Sequence, residues 1–110
     1  MVSRRIAGLA AALLLALPGL AGAAPPAPRV HTVVIDGMQF IPQTIAVNPG
    51  DTVVWRNKDP FPHTATAAKG GPDSPSIAAG ESWKFTAKKR GSYPYLCTLH
   101  RTMTGTLVVE

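Results

Sequence analysis

From Val30 onward the apolar residues fall at every second position, in short runs separated by turn formers, and no stretch of ten residues shows helical spacing. Residues 30–35 form one such run, closed by Asp36-Gly37, and residues 44–47 form another, closed by "NPGD". Residues 51–56 alternate so that Val53 and Trp55 share a face. A polar, proline-rich stretch follows over residues 57–79, with room for one short strand at residues 63–66. Alternation resumes in "AAGESWKFTA", with Trp83 and Phe85 on one face, and continues through Tyr93, Tyr95 and Cys97 of "GSYPYLC". Pro94, on the opposite parity, predicts a sheet edge or a strand end, because proline has no amide to donate. "TGTLVVE" closes the chain with Leu107 and Val109 together. Six to eight short strands within residues 30–110 predict an all-β fold, an antiparallel sandwich or barrel.

What precedes Val30 reads differently. Arg4 and Arg5, an apolar run over residues 6–17 and the A-x-A triplet Ala21-Gly22-Ala23 predict a secretory signal peptide over residues 1–23. Pro18 and Gly19 stop the run short of the roughly 20 apolar residues that a spanning helix needs. Paired arginines occur in both general and twin-arginine signals, so the export route stays open. Residues 24–29, "APPAPR", predict an extended proline-rich leader. The mature domain is then residues 30–110, placed in the periplasm or otherwise exported, with no stable membrane insertion once the signal is gone.

Removal of the signal leaves nine Lys and Arg against six Asp and Glu, a net charge of about +3. Lys88, Lys89 and Arg90 are the one dense basic cluster, and they stand where a solvated turn is expected. An exported chain with few aromatics and no basic stripe is not a nucleic-acid binder. The domain is small enough that its core is modest, and the single cysteine excludes an internal disulfide, so any staple is a metal or a contact between chains.

That cysteine carries the chemistry. In "YLCTLHRTM" Cys97, His100 and Met103 recur at intervals of three, and "DPFPHT" places His63 on a proline-bracketed loop after the Val53–Trp55 strand. Taken singly, His63 reads as a loop residue, Met103 as core and Cys97 as a small buried hydrophobe. Taken together they read as ligands, because an unpaired thiol in an oxidising compartment is a liability unless it is buried or bound. Thiolate is a soft donor, imidazole suits copper and zinc, and thioether favours copper; two histidines, a thiolate and a distant methionine form the blue-copper set. A structural zinc site more usually takes four Cys or His ligands, and this constellation offers three with methionine a poor fourth. A Cys97–His100 nucleophile pair lacks an orienting carboxylate in the sequence around His100, so no enzymatic activity is expected. His31 has no motif around it and reads as an exposed strand residue.

With those residues in view the chain resembles the cupredoxins, and among them the small amicyanin and plastocyanin group, from "MQFIPQTIAVNPGDTVVWRNKDPFPHTAT" to "SWKFTAKKRGSYPYLCTLHRTMTGTLVVE". Cys-x2-His-x2-Met looks like the short ligand loop of amicyanin. The resemblance implies a Greek-key sandwich and one copper ion cycling between Cu(I) and Cu(II). It makes His63 and His100 the imidazole ligands, Cys97 the thiolate and Met103 the axial thioether. Many relatives carry asparagine after the first histidine and proline after the second, where this chain has Thr64 and Arg101. Thr64 is therefore expected to tie to Thr98 by a Thr–Thr hydrogen bond, and Arg101 sets a charge beside His100.

The function so implied is single-electron transfer to and from a redox protein by a monomer. Phe61, Pro62, Leu99 and Met103 would form an apolar collar for brief docking, with Arg101 at its side. The alternative is copper delivery on the same fold. Beyond the proposed ligands the mature chain offers only Met38 and His31 as further soft or borderline donors, which leans against it.

Overall fold

The computed structural model describes residues 27–110; the signal peptide and the first residues of the leader lie outside the described residues. Eight strands follow in order: β1 (Val30–Asp36), β2 (Gln39–Ile41), β3 (Thr44–Val47), β4 (Thr52–Asn57), β5 (Thr66–Ala67), β6 (Ser82–Thr86), β7 (Gly91–Cys97) and β8 (His100–Val109). They form two four-stranded sheets, ordered β2-β1-β4-β6 and β3-β8-β7-β5. Among the described residues there is no helix.

The sheets are mixed, which corrects the antiparallel expectation. β1 pairs with β4 in parallel, Val33 opposite Trp55, and β3 pairs with β8 in parallel, Ile45 opposite Leu107. The reason is topological. Parallel neighbours need a crossover, and here β2 turns back along β1, β3 crosses to the other sheet, and β4 returns beside β1 running the same way.

Alternation decides the core as the sequence led one to expect. Val33, Ile35, Val53 and Trp55 of one sheet meet Tyr95, Cys97, Leu107 and Val109 of the other in a single buried cluster. Trp55 and Tyr95 cross edge-to-face between the sheets with ring centroids 5.5 Å apart, and Phe40 meets Tyr95 at 4.7 Å. Each such large side chain contributes about 1.5–3 kcal/mol on burial. Burial also pushes the Tyr95 phenol up to about 12. Trp83 and Phe85 share a face but stay half-buried, because β6 is a sheet edge. Pro94 lies on β7 just past the two residues, Tyr95 and Leu96, that β5 covers.

His31 departs from its reading as an exposed residue. Its Nε2 sits 2.9 Å from Asp51 Oδ2, with the side chain only 26% exposed. Asp51 also accepts from the amides of Arg29 and Asn48, at 2.9 and 3.0 Å. Those amide bonds, with the His31 ring, hold its carboxyl down to about 2. One carboxylate thus ties the start of β1 to the turn before β4.

Candidate metal centre

The loop after β4 is shaped by its last strand residue. Asn57 is fully buried, and its Nδ2 donates to the carbonyls of Phe61 (2.7 Å) and Ile77 (3.0 Å), while its Oδ1 accepts from the Asp59 amide at 2.9 Å. An amide side chain can satisfy these donors and acceptors at once, so "NKDPFPHT" closes into a compact turn that carries His63 inward. His63 then exchanges backbone hydrogen bonds with Ile77, at 3.1 and 2.7 Å, and its ring is wholly buried.

The ring orientation is fixed by Asp59. His63 Nε2 lies 2.8 Å from Asp59 Oδ2, which leaves Nδ1 to face the interior. Burial pushes the Asp59 carboxyl up, but the amides of Met38 and Gly37 and the imidazole of His63 outweigh it and hold the group below its usual range. Sequence reading passed over both Asn57 and Asp59. The available signal was the four-residue interval from Asp59 to His63 across a loop bracketed by Pro60 and Pro62.

The second half of the site is built by a hairpin. Cys97 ends β7 and His100 opens β8, so the ligand interval straddles a turn whose two residues are Thr98 and Leu99. Leu96 pairs with Thr104, yet Cys97 pairs with His100. One step along β7 therefore answers four along β8, and the extra residues, Arg101 to Met103, bow out of the ladder as a bulge. The single tight loop expected over residues 97–103 is thus only the two-residue turn Thr98-Leu99, with His100 to Met103 already in β8.

These two halves meet at sulfur. Cys97 Sγ, free and fully buried, stands 3.6 Å from His63 Nδ1 and accepts the Thr64 amide at 3.3 Å. The His63 and His100 rings are 5.1 Å apart, inclined at 59°. Met103 is buried, 4% exposed, on the same core cluster as Cys97. Thr64 and Thr98 are joined as expected: their hydroxyls lie 3.1 Å apart and the Thr98 amide donates to Thr64 Oγ1 at 2.9 Å. Thr66 adds a third hydroxyl, donating to Thr64 Oγ1 at 3.0 Å.

Among the described residues no three His, Cys, Asp or Glu side chains close on a single point. What the structure brings together is the Cys97 thiol and the His63 imidazole at 3.6 Å, with the His100 ring 5.1 Å from that of His63, and soft and borderline donors of this kind serve hard cations poorly. The residues fit copper on chemistry visible in the structure: a buried thiol with an amide aimed at its sulfur, and an imidazole whose outer nitrogen is held so that the inner one faces that thiol. Around this centre Phe61 and Leu99 are each 53% exposed, and Pro62 and Arg101 are exposed beside them in sequence.

Comparison with known proteins agrees with that chemistry. The chain is 32% identical to amicyanin of Paracoccus versutus over 81 residues, which cover 69% of this chain and 61% of the relative. It is 30% identical to amicyanin-alpha of Methylorubrum extorquens over 84 residues, 71% of this chain and 70% of the relative. Vicia faba plastocyanin matches at 28% over 89 residues, 67% and 90% of the two chains. The chain thus spans about three fifths of the length of the Paracoccus relative.

Among solved structures, a reduced amicyanin variant superposes with a TM-score of 0.68 at 31% identity, covering 74% of this chain and 82% of that one. A copper-containing nitrite reductase from Thermus scotoductus superposes with the same score, 0.68, but only 23% of that chain is covered. The profile of the copper binding proteins of the plastocyanin/azurin family matches residues 29–110. The chain belongs to the plastocyanin/azurin family of copper-binding proteins.

Proposed function

We propose that this protein carries single electrons between redox partners, with His63, Cys97, His100 and Met103 holding one copper ion. The observation that carries the reading is the environment of Cys97 Sγ, buried, 3.3 Å from the Thr64 amide and 3.6 Å from His63 Nδ1. Bound there, copper supplies a one-electron Cu(I)/Cu(II) couple.

The protein's own residues do the rest. Asp59 holds His63 in the tautomer that leaves Nδ1 bare, and the Thr64 amide stabilises negative charge on sulfur. The Thr64–Thr98 link locks the two ligand segments, 34 residues apart, to each other. A frame held at so many points changes little when the charge at its centre changes, and that suits rapid electron exchange. Phe61, Pro62, Leu99 and Arg101 supply an exposed surface, apolar with one cation, on which a partner can dock briefly. With the signal peptide read from residues 1–23, the protein works in the periplasm or another exported setting, as a monomer and without catalysing a reaction of its own.

The test is direct. Protein loaded with Cu(II) should hold close to one copper per chain, show an intense visible thiolate-to-copper absorption and give a reversible one-electron wave. Copper-loaded protein without that absorption would refute the ligand set. Delivery is the alternative, and fast loss of copper to a competing apo-protein, without a reversible wave, would favour it.

A further inference from the structure

Met38 is a thioether outside the proposed ligand set, and the fold places it at the tip of the β1–β2 hairpin. Gly37 and Met38 both have φ of 61° between the paired residues Asp36 and Gln39, which is a two-residue turn of type I′. Glycine is favoured at the second position of such turns, and a bulky residue there is strained by its Cβ. Local turn chemistry therefore argues against methionine at this point, and rules broken in this way concentrate at functional positions.

The surroundings of Met38 point the same way. It is 38% exposed, and it lines a cavity of about 370 Å³ together with Phe40, Gln43, Thr102 and Met103. The exposed methionine and the one assigned to the copper thus line the same cavity. No charged side chain lines it. The Met38 amide donates at 2.9 Å to Asp59 Oδ2, the same oxygen that lies 2.8 Å from His63 Nε2, so the hairpin tip is pinned to the ligand loop. The lining also includes Gln39 and Thr104, so it offers neutral oxygens but no carboxylate for a hard divalent cation, whereas its two methionines bring the thioether donors that a soft monovalent cation prefers.

We propose that Met38 is an entry donor for Cu(I), taking the ion from solvent or a carrier and passing it along the Met38–Met103 cavity to the buried site. The inference rests on the ligand set proposed above. The transfer is a ligand exchange: copper stays Cu(I) throughout, the donor's bonds to it break as thioether bonds form, and the Cys97 thiol releases its proton to water when it finally binds. No electron moves.

The experiment mixes metal-free full-length mature protein with Cu(I)–bicinchoninate without oxygen and follows the loss of the chelate's colour. Met38→Leu conserves volume and removes the sulfur; Met38→Gly removes it too while suiting the turn. Both should slow Cu(I) uptake roughly tenfold, the scale on which loss of a supporting group acts at metal sites, while the final stoichiometry, the visible absorption after oxidation and the reduction potential match the parent. Uptake at the parental rate by either variant overturns the entry role. Should the parent protein itself bind no copper, or bind it without the thiolate absorption, the ligand set fails instead, an outcome separate from any difference between variants.

Discussion

Asp59 and His63 lie 2.8 Å apart, Oδ2 to Nε2, with the ring wholly buried and the carboxylate nearly so. Two nearby amides, of Gly37 (2.7 Å) and Met38 (2.9 Å), fix that carboxylate in turn. The chain Met38–Asp59–His63–Cys97 therefore runs from a surface hairpin to the centre of the proposed copper site through three different segments.

Replacing Asp59 with Asn should weaken copper binding by roughly 10–100-fold, the usual scale for loss of a partner that orients a histidine ligand. The new amide would present either an acceptor or a donor to Nε2, and as a donor it would force the proton onto Nδ1, the nitrogen facing sulfur. Competition with a copper chelator measures the change. Unaltered affinity would mean that the carboxylate serves the hairpin alone.

The Thr64 hydroxyl is a hub of three bonds, to the Thr98 amide and to the hydroxyls of Thr98 and Thr66. Thr64→Ala should cost about 1–3 kcal/mol, the penalty for stranding partly buried polar groups. Thr64→Asn, which can bridge to residue 98 with its own carbonyl, should recover part of it. Thermal unfolding of the metal-free forms tests both, and equal losses would show that the bridge adds nothing.

Replacing Met103 with Leu should leave the visible absorption in place, because colour depends on the thiolate, but should move the reduction potential, because the axial donor tunes the metal. Voltammetry measures the second effect. Cys97→Ser should abolish the absorption, and a Cys97→Ser protein that still turned blue would overturn the assignment.

Stability should fall in acid through Asp51. Its carboxyl sits at about 2 in the folded protein against 3.8 ordinarily, the Arg29 amide being the first cause. A folded-state value below the unfolded one contributes stability that is fully present above about pH 4 and is lost as pH drops toward 2. Asp51→Asn removes the titration, so the difference in melting temperature between parent and variant should shrink across that window. A constant difference would place the effect elsewhere.

Gly105 should not tolerate a methyl group. A Cβ built there would stand 2.5 and 2.6 Å from the Tyr95 ring and hydroxyl and 3.0 Å from the Gln43 carbonyl. Gly105→Ala should destabilise the fold by about 1–3 kcal/mol, the cost of overpacking a core, measurable as a lower denaturation midpoint. Adding Tyr95→Phe should relieve part of that cost, since it removes the hydroxyl from the clash and a buried oxygen left without a hydrogen-bond partner.

The sequence by itself determined most of the strands, though not β2 or the bounds of β5, and the core face, and it pointed to the proposed ligand chemistry. Alternation is local, with a period of two, so Val53, Trp55, Tyr95, Cys97, Leu107 and Val109 announced their common face without knowledge of their partners. Three of the proposed donors, Cys97, His100 and Met103, were equally local, because soft and borderline donors at short intervals around a lone thiol narrow the metal whatever the surrounding fold, while His63 lies 34 residues away. Only the tertiary structure decided which strands lie side by side, since a residue pattern carries no direction, and it set β1 beside β4 and β3 beside β8 in parallel. It alone brought Asp59 against His63, His31 against Asp51, and Met38 into one cavity with Met103. Those pairings come from chain crossings and buried hydrogen bonds whose partners lie on separate segments, and no local spacing encodes them.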